Sequence, residues 1–146
     1  MYEDALARVD LFSRLRFQEL TQVAARCREV RYSPGAVLIA QGEKGAGLFI
    51  ISKGTVRITR KNGSDGAEQV LGTAGTADIL GEMALLDDLP RSATVTAVDE
   101  VSALVLPFGD FRVILRHILS TEPNAGMELL ATLSLRVRKC EQRVYE

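Results

Sequence analysis

Residues 81–95 read GEMALLDDLPRSATV, and the rest of the chain is organised around this stretch. It opens with a Gly-Glu pair, continues through a short apolar turn and an acidic loop closed by Pro90, and reaches Arg91 just before a β-branched run. The N–H groups at the start of a helical turn and an arginine guanidinium both bind phosphate oxygens well. The stretch therefore predicts an anion-binding cradle that leads into a strand.

Short runs of strand-forming residues lie on both sides of this cradle and alternate with turns rich in glycine, such as residues 45–47. Many short strands with turn residues that supply a positive or a fixed φ are typical of a β-sandwich or barrel. Several runs alternate apolar and polar residues, which places one face in the core and one in solvent. The predicted strands cover residues 30–32, 37–40, 48–52, 56–60, 69–72, 94–98 and 101–106.

Helical periodicity precedes and follows the β-rich region. Apolar residues recur at three- and four-residue spacing over residues 3–29, where polar interruptions favour two or three short helices over a single long one. The same spacing returns from Phe108, is broken near Pro123, and continues from about residue 125 to 145. The sequence predicts an α+β fold in one domain spanning 1–146, with a helical bundle from 1–29 and 108–146 and a β-barrel from 30–107.

Composition excludes several classes of function. The 18 basic and 19 acidic residues nearly cancel and form no block of one sign, which argues against binding nucleic acid through bulk charge. No apolar run approaches the roughly 20 residues of a membrane span, and the N-terminus lacks the pattern of a signal peptide. Cys27 and Cys140 have no metal-type spacing, and His117 is the only histidine, so no metal, cofactor or enzyme activity is expected. These features favour a reducing, cytoplasmic setting.

Several motifs in the right order give the chain a resemblance to a known family. GEMAL, five further residues and then RSA resemble the phosphate-binding cassette of cyclic nucleotide-binding domains, a family that includes catabolite activator proteins, protein kinase A regulatory subunits and cyclic-nucleotide-gated channels. Residues 32–43 and 48–56 resemble the family's first hairpins, and Leu11 with Phe12 its N-terminal helices. The resemblance covers most of the chain. It implies an antiparallel jelly roll (a double-stranded β-helix) flanked by C-terminal hinge and lid helices.

The resemblance also implies roles for individual residues of the cassette at 81–95. Arg91 matches the arginine that binds the cyclic phosphate, and Glu82 matches the glutamate that accepts from the ribose 2′-OH. The remaining expected ligand contacts are Gly81, Met83, Ala84, Ser92 and Ala93, with Val70, Leu71 and Leu80 as apolar walls beside Ile79. Other interpretations remain open: Arg91 as a buried partner of Asp87, Asp88 or Asp99, Glu82 as a charge at a helix start, and the apolar residues as ordinary core.

Two departures from the family pattern affect the pocket. Ala77 stands where the family has a glycine, which restricts a turn with positive φ, and Leu80 stands where the family has an aromatic residue. Neither position carries the phosphate contact, so binding is expected to survive with a changed pocket shape. In this family Ser92 would accompany cGMP binding, although bacterial members with Arg-Ser also take cAMP. We expect cAMP, with cGMP as the rival ligand.

The expected function is a stand-alone sensor whose C-terminal helix moves when ligand binds and so controls an unknown effector protein. One alternative is a regulatory domain cut from a channel or another multidomain protein, and another is an interaction scaffold that no longer binds nucleotide. About 20 residues follow Gly126, which leaves no room for a DNA-reading module, so no nucleic-acid partner is expected. The last helix has the spacing of a coiled-coil seam, which allows a homodimer, although a helix lying on the barrel explains it equally: Leu130, Leu133, Val137, Cys140 and Val144.

Overall fold

The computed structural model describes the chain except for residues 1, 64–65, 83–88 and 146 and, in the last helix, the side chains of residues 136–137 and 139–145. Short helices precede a set of strands, and two longer helices follow it. In chain order the elements are α1 (Glu3–Ala7), a 3-10 turn (Asp10–Phe12), α2 (Phe17–Arg26), β1 (Arg28–Tyr32), β2 (Val37–Ile39), β3 (Gly47–Lys53), β4 (Val56–Lys61), β5 (Glu68–Ala74), β6 (Ile79–Leu80), β7 (Thr94–Ala97), β8 (Val101–Pro107), α3 (Phe108–Thr121) and α4 (Pro123–Tyr145).

The described strands form two four-stranded antiparallel sheets. The first sheet has the order β1-β8-β3-β6 and the second has the order β2-β7-β4-β5. Strands far apart in the sequence become neighbours: β8 pairs with both β1 and β3, so that Ala103 lies opposite Val30 on one side and Ile51 on the other. This arrangement confirms the predicted α+β fold, an antiparallel jelly roll with flanking helices.

Alternation along β3 and β8 buries both faces of the first sheet. One face packs against the helices and contributes to what we call the helix-side cluster, while the other faces the second sheet and contributes to the barrel-interior cluster. The helix-side cluster comprises Leu6, Val9, Leu11, Phe12, Leu15, Leu20, Val23, Ala24, Leu48, Ile50, Ile79, Leu104, Leu106, Phe108, Phe111, Ile114, Ile118, Leu129 and Leu133. The barrel-interior cluster comprises Leu38, Ile39, Ile51, Val56, Ala74, Leu80, Val95, Ala97, Val101 and Ala103.

The helices follow the sequence prediction with two differences. The predicted helical region at 3–29 contains short elements, as expected, but α2 ends at Arg26 and β1 begins at Arg28, two residues before the predicted start of the barrel. In α4, however, Leu129 and Leu133 are the leucines buried in the helix-side cluster, whereas Leu130 is only partly buried. The first turns of α4 therefore face the bundle through Leu129 rather than Leu130. Val137, Cys140 and Val144 lie where side chains are not described, so a homodimer through this helix stays a prediction.

Candidate ligand-binding site

The backbone of Arg91 is held by a tight turn that follows β2. The Arg91 N–H donates to the Glu43 carbonyl at 2.8 Å, and the Gly42 N–H donates to the Arg91 carbonyl at 2.9 Å. Gly42 has a φ of +86°, a conformation that glycine adopts without the steric cost of a Cβ. These two bonds fix the point from which the arginine side chain starts.

Gln41 ties the same turn to the second sheet. Its side-chain amide pairs with both backbone groups of Lys61: Oε1 accepts from the Lys61 N–H at 2.8 Å, and Nε2 donates to the Lys61 carbonyl at 3.0 Å. Its backbone N–H donates to Thr94 Oγ1 at 3.0 Å. The turn at 41–43 is therefore anchored to β4 and β7, and through it Arg91 is anchored to the barrel.

Two main-chain carbonyls orient the guanidinium of Arg91. Nη1 donates to the Gly81 carbonyl at 3.0 Å, and Nη2 donates to the Gly47 carbonyl at 2.8 Å. Because a guanidinium is planar and carries five N–H donors, two such bonds set its plane and direction and leave three donors uncommitted by these contacts. The sequence could not reveal these partners, since any residue supplies a carbonyl.

Two aromatic rings complete the surroundings of the guanidinium. Its Cζ lies 6.0 Å from the centroid of the Phe49 ring and 5.6 Å from that of Phe108. Both distances lie in the range of a cation–π attraction. Phe49 belongs to β3 and packs against the barrel-interior cluster, whereas Phe108 belongs to the helix-side cluster.

The guanidinium passes so close to two glycines that a Cβ on either would displace it from this position. A Cβ on Gly45 would lie 2.5 Å from Arg91 Cζ, and a Cβ on Gly81 would collide with Arg91 Nη1. Gly81 also has a φ of +85°. The close approach explains why this end of the barrel carries glycine at both positions.

Burial and the nearby charge of Glu82 have opposite effects on the pKa of Arg91. Burial lowers the pKa of the Arg91 guanidinium from its ordinary value, and the negative charge of Glu82 partly offsets this shift. Glu82 itself is only 5% exposed. The guanidinium remains a cation in this setting because arginine is not deprotonated in proteins. A partly desolvated cation attracts an anion more strongly than one in bulk water, so the arrangement suits a bound phosphate oxygen.

The structure brings Gly81, Glu82 and Arg91 together and places the other expected residues around them. Ala93 is partly buried just before β7, Leu80 is buried in the barrel-interior cluster, and Ser92 is exposed, with its carbonyl accepting from Arg60 Nε at 3.0 Å. Met83 and Ala84 lie outside the described residues, as do two of the alternative partners considered for Arg91, Asp87 and Asp88.

The third alternative partner, Asp99, has a different role. Its Oδ1 accepts from the Thr55 N–H at 2.8 Å, at the turn between β3 and β4. The Arg91 guanidinium donates instead to the carbonyls of Gly81 and Gly47. The role of Asp99 is therefore to hold a turn.

The two expected apolar walls on β5 stand at the edge of the second sheet. Val70 and Thr94 both lie opposite Thr59, which places Val70 two strands from the start of β7. Val70 is 61% exposed, so it is not ordinary core, and Leu71 is partly buried. Adjacent residues of a regular strand face opposite sides, so a wall formed by both depends on an irregularity in β5. The pairing shifts between Ile58 and Thr59 of β4, which lie opposite Gly72 and Val70, and Leu71 is the extra residue of β5 at that step.

Several residues that shape the site carry no sign of this role in the sequence. The sequence places Gly45 and Gly47 in a turn, Phe49 in a strand, Phe108 in a helix and Gln41 in the motif at 32–43, but it does not connect them with Arg91. In the described part of the chain, no group of three or more His, Cys, Asp and Glu side chains is placed to hold a metal ion. No helix among the described residues is long and apolar enough to cross a membrane.

Comparison with known proteins gives the same family at several levels. The model of the cyclic nucleotide-binding domain family matches residues 29–117. A CRP-like cAMP-activated global transcriptional regulator of Mycobacterium tuberculosis is 30% identical over 137 residues, which cover 94% of this chain and 59% of the regulator. A cAMP-dependent protein kinase regulatory subunit of Mycosarcoma maydis is 38% identical over 97 residues, covering 66% of this chain and 18% of the subunit.

A solved structure extends the likeness to three dimensions. The N-terminal domain of a transcriptional regulator from Streptomyces coelicolor A3(2) superposes with a TM-score of 0.76 at 32% identity, covering 95% of this chain and 93% of that one. The curated relatives are regulators or regulatory subunits, and the chain spans well under two thirds of their length.

Proposed function

The chain belongs to the cyclic nucleotide-binding domain family, and from that premise we propose that it binds cAMP at the end of the barrel where Arg91, Glu82 and Gly81 meet. The observation that carries the proposal is the guanidinium of Arg91, which two carbonyls orient and burial partly desolvates. A guanidinium has five N–H donors, and we assign donors that these two bonds do not use to the oxygens of a cyclic phosphate. Binding therefore requires little reorganisation of the arginine.

The other contacts of the ligand follow from the positions around Arg91. Glu82 is assigned to the ribose 2′-OH, and the N–H groups near Ala84 and Ser92 to the phosphate. Gly81 allows the ligand to approach the backbone, and Leu80, Ala93, Val70 and Leu71 provide apolar contacts. Met83, which follows Glu82 in the cassette, is the remaining residue of the proposed site.

The choice of base rests on the relatives and on Ser92 rather than on Arg91. The names of the M. tuberculosis and M. maydis relatives refer to cAMP, which supports cAMP as the ligand here. The exposed Ser92 hydroxyl next to Arg91 keeps cGMP as the rival. Binding of either ligand is expected to shift a population of states in which α3 and α4 move relative to the barrel, and so to regulate an effector.

Titration calorimetry with cAMP and cGMP tests the ligand, and substitution of Arg91 tests the site. Arg91→Ala removes a charge-assisted bond to phosphate and should weaken binding by about 1.5–3 kcal/mol, or roughly ten- to a hundredfold. Arg31→Ala is the matched control, because Arg31 lies on β1 opposite Ser102, at the other end of the first sheet from Gly47. Equal affinities of Arg91→Ala and the unsubstituted protein would refute the assigned site.

The same titration separates the alternative functions. Neither heat nor a thermal shift with millimolar cAMP or cGMP would favour the scaffold that no longer binds nucleotide. Binding by this chain alone fits either a stand-alone sensor or a regulatory domain of a larger protein. Those two are distinguished by the reading frame in which the sequence is encoded.

A further inference from the structure

Arg91 contacts one aromatic ring beside each of the two clusters, and these rings belong to different elements of the fold. Phe49 lies within β3, which pairs with β6 and β8 on its two sides. Phe108 is the first residue of α3 and follows the last residue of β8. We propose that Phe108 is a positioning residue that couples the charge of the Arg91 guanidinium to helix α3, an inference that rests on the proposed binding of a cyclic nucleotide.

Phe108 is well placed to pass a displacement into the helix. It is 6% exposed and belongs to the helix-side cluster, as do Phe111, Ile114 and Ile118 on the same face of α3. Its backbone N–H donates to the Ala46 carbonyl at 2.9 Å. Ala46 lies between Gly45, which the guanidinium passes closely, and Gly47, whose carbonyl accepts from the guanidinium. A change in the contact between Phe108 and Arg91 therefore affects the side chains that pack along the same face of α3.

The attraction between the guanidinium and a ring depends on the positive charge that the guanidinium presents. A cation–π contact is electrostatic and strengthens when the cation is desolvated, as Arg91 partly is. A phosphate that accepts from the guanidinium neutralises part of this charge and so weakens its attraction to both rings. The loss has little structural consequence at Phe49, which the strand pairing holds, but it releases one contact at the start of α3.

Two leucine substitutions separate this role from simple packing. Phe108→Leu and Phe49→Leu each keep an apolar side chain and remove a ring at a similar distance from Arg91 Cζ, 5.6 and 6.0 Å respectively. Because bound phosphate weakens the attraction to both rings, the loss of either ring should by linkage tighten cAMP binding, by at most about two- to fivefold. They should differ in helix α3, which can be followed by hydrogen exchange with and without cAMP.

In the unsubstituted protein and in Phe49→Leu, we expect cAMP to speed exchange in the first turns of α3 by about two- to fivefold. In Phe108→Leu the exchange should already be fast without ligand and should not change further when saturating cAMP is added. A ligand-dependent change of the same size in Phe108→Leu as in the unsubstituted protein would overturn the proposal. Loss of the change in both leucine variants would also overturn it, because the effect would then be general loosening.

Variants of Arg91 compared without ligand test the coupling to α3 independently of whether cAMP binds. Arg91→Met removes the charge, and Arg91→Lys keeps it on a smaller group. If Phe108 responds to that charge, exchange in α3 should rise in Arg91→Met but stay close to normal in Arg91→Lys. The double variant Arg91→Met with Phe108→Leu should then exchange no faster than either single variant.

The outcomes for the two proposals differ. Failure of the unsubstituted protein to bind cAMP refutes the proposed ligand, while the coupling is still decided by the ligand-free variants. Additive effects of Arg91→Met and Phe108→Leu on exchange in α3 overturn the coupling even if cAMP binds tightly. Non-additive effects together with rescue by Arg91→Lys support it.

Discussion

The two apolar clusters of this protein differ in the size of their side chains. The helix-side cluster contains Phe12 and Phe111, both almost fully buried, with ring centroids 6.3 Å apart and planes tilted by 54°. Among the described residues, the buried members of the barrel-interior cluster include no aromatic residue, and three of them are alanines: Ala74, Ala97 and Ala103. Bulky packing on one side of the first sheet supports stability. The proposed ligand site lies instead at the end of the barrel, where Arg91 contacts a ring beside each cluster.

The largest expected effect is on the helix-side cluster. Phe111→Ala should destabilise the protein by about 3–5 kcal/mol, because it leaves a cavity beside Phe12. Denaturant unfolding measures the change. Val113→Ala, at a position on the same helix that is 49% exposed, is the control and should change stability by about 0.5 kcal/mol or less. A loss below about 1 kcal/mol in Phe111→Ala would contradict the assignment of stability to this cluster.

The next effect is on binding rather than on stability. Gly45→Ala places a Cβ about where the Arg91 guanidinium lies, 2.5 Å from Cζ. Because the obstacle is the end of a flexible side chain, the fold should accommodate it by moving the arginine away from its carbonyls. We expect cAMP affinity to fall by about 1.5–3 kcal/mol with little change in melting temperature.

The control for this change is Gly63→Ala, where a Cβ would meet nothing within 4 Å and φ is not positive. Calorimetry and thermal melting on both variants make the comparison. Equal affinities of the two variants would show that the close approach at Gly45 has no bearing on binding.

A smaller effect is expected from Cys27, which packs against the helix-side cluster. Burial, and secondarily the charge of Asp110, raises the pKa of the Cys27 thiol from 9.0 to about 12. The folded protein therefore keeps this proton while the unfolded chain loses it above about pH 9. The corresponding stability is fully present below pH 9 and is lost as the pH rises towards 12.

For this partly exposed thiol we expect a loss of about 1 kcal/mol by pH 10 relative to a chain without it. Unfolding of the unsubstituted protein and of Cys27→Ala at pH 8 and pH 10 measures the difference. The alanine variant should lose less stability over this interval. Parallel losses in both proteins would show that the thiol is not protected by the fold.

The smallest effect concerns Ala77, in the turn before β6. It has a φ of +74° and is the one non-glycine residue with positive φ in the described part of the chain. Ala77→Gly removes the clash of Cβ in this conformation and should stabilise the protein by about 0.5–1 kcal/mol, after the entropy of the more flexible unfolded chain is subtracted.

Ala125→Gly, within α4, should have the opposite sign, because glycine in a helix costs about 0.5–1 kcal/mol. Denaturant unfolding of both variants gives the comparison. Destabilisation by Ala77→Gly would show that other contacts of the alanine outweigh its strained backbone.

The sequence predicted most strands because their alternation and turns are local signals. It missed β6, since the two residues Ile79 and Leu80 are too few to show a period, and their pairing with Ile50 and Phe49 is set by distant parts of the chain. Within the chain, the last helix packs through Leu129 and Leu133, and the sequence had singled out Leu130 and Leu133. The two leucines at 129 and 130 are equally apolar, so only the packing of the helix shows which one is buried, and the homodimer seam through Leu130 stays a prediction.

For a similar reason, the sequence predicted the motif residues of the site but not the residues that surround them. A motif identified Arg91 and Glu82 by residue type and spacing, and the structure brings them together with Gly81. The carbonyl partners of Arg91 and its two rings come from residues far away in the chain, which only the fold brings into contact. Ala77 was recognised as a departure from the family pattern, and the structure shows that this alanine adopts the strained turn conformation nonetheless.

The pairing of β8 with both β1 and β3 has a consequence for the order in which the protein is built. Arg91 precedes β8 in the chain, yet Gly47, whose carbonyl it holds, is paired with Pro107 at the end of β8. The first sheet therefore closes only after residue 107 has left the ribosome, and pairing between such distant segments is slow. A nascent chain that stops short of β8 carries the arginine without the strand pairing that positions one of its two carbonyls.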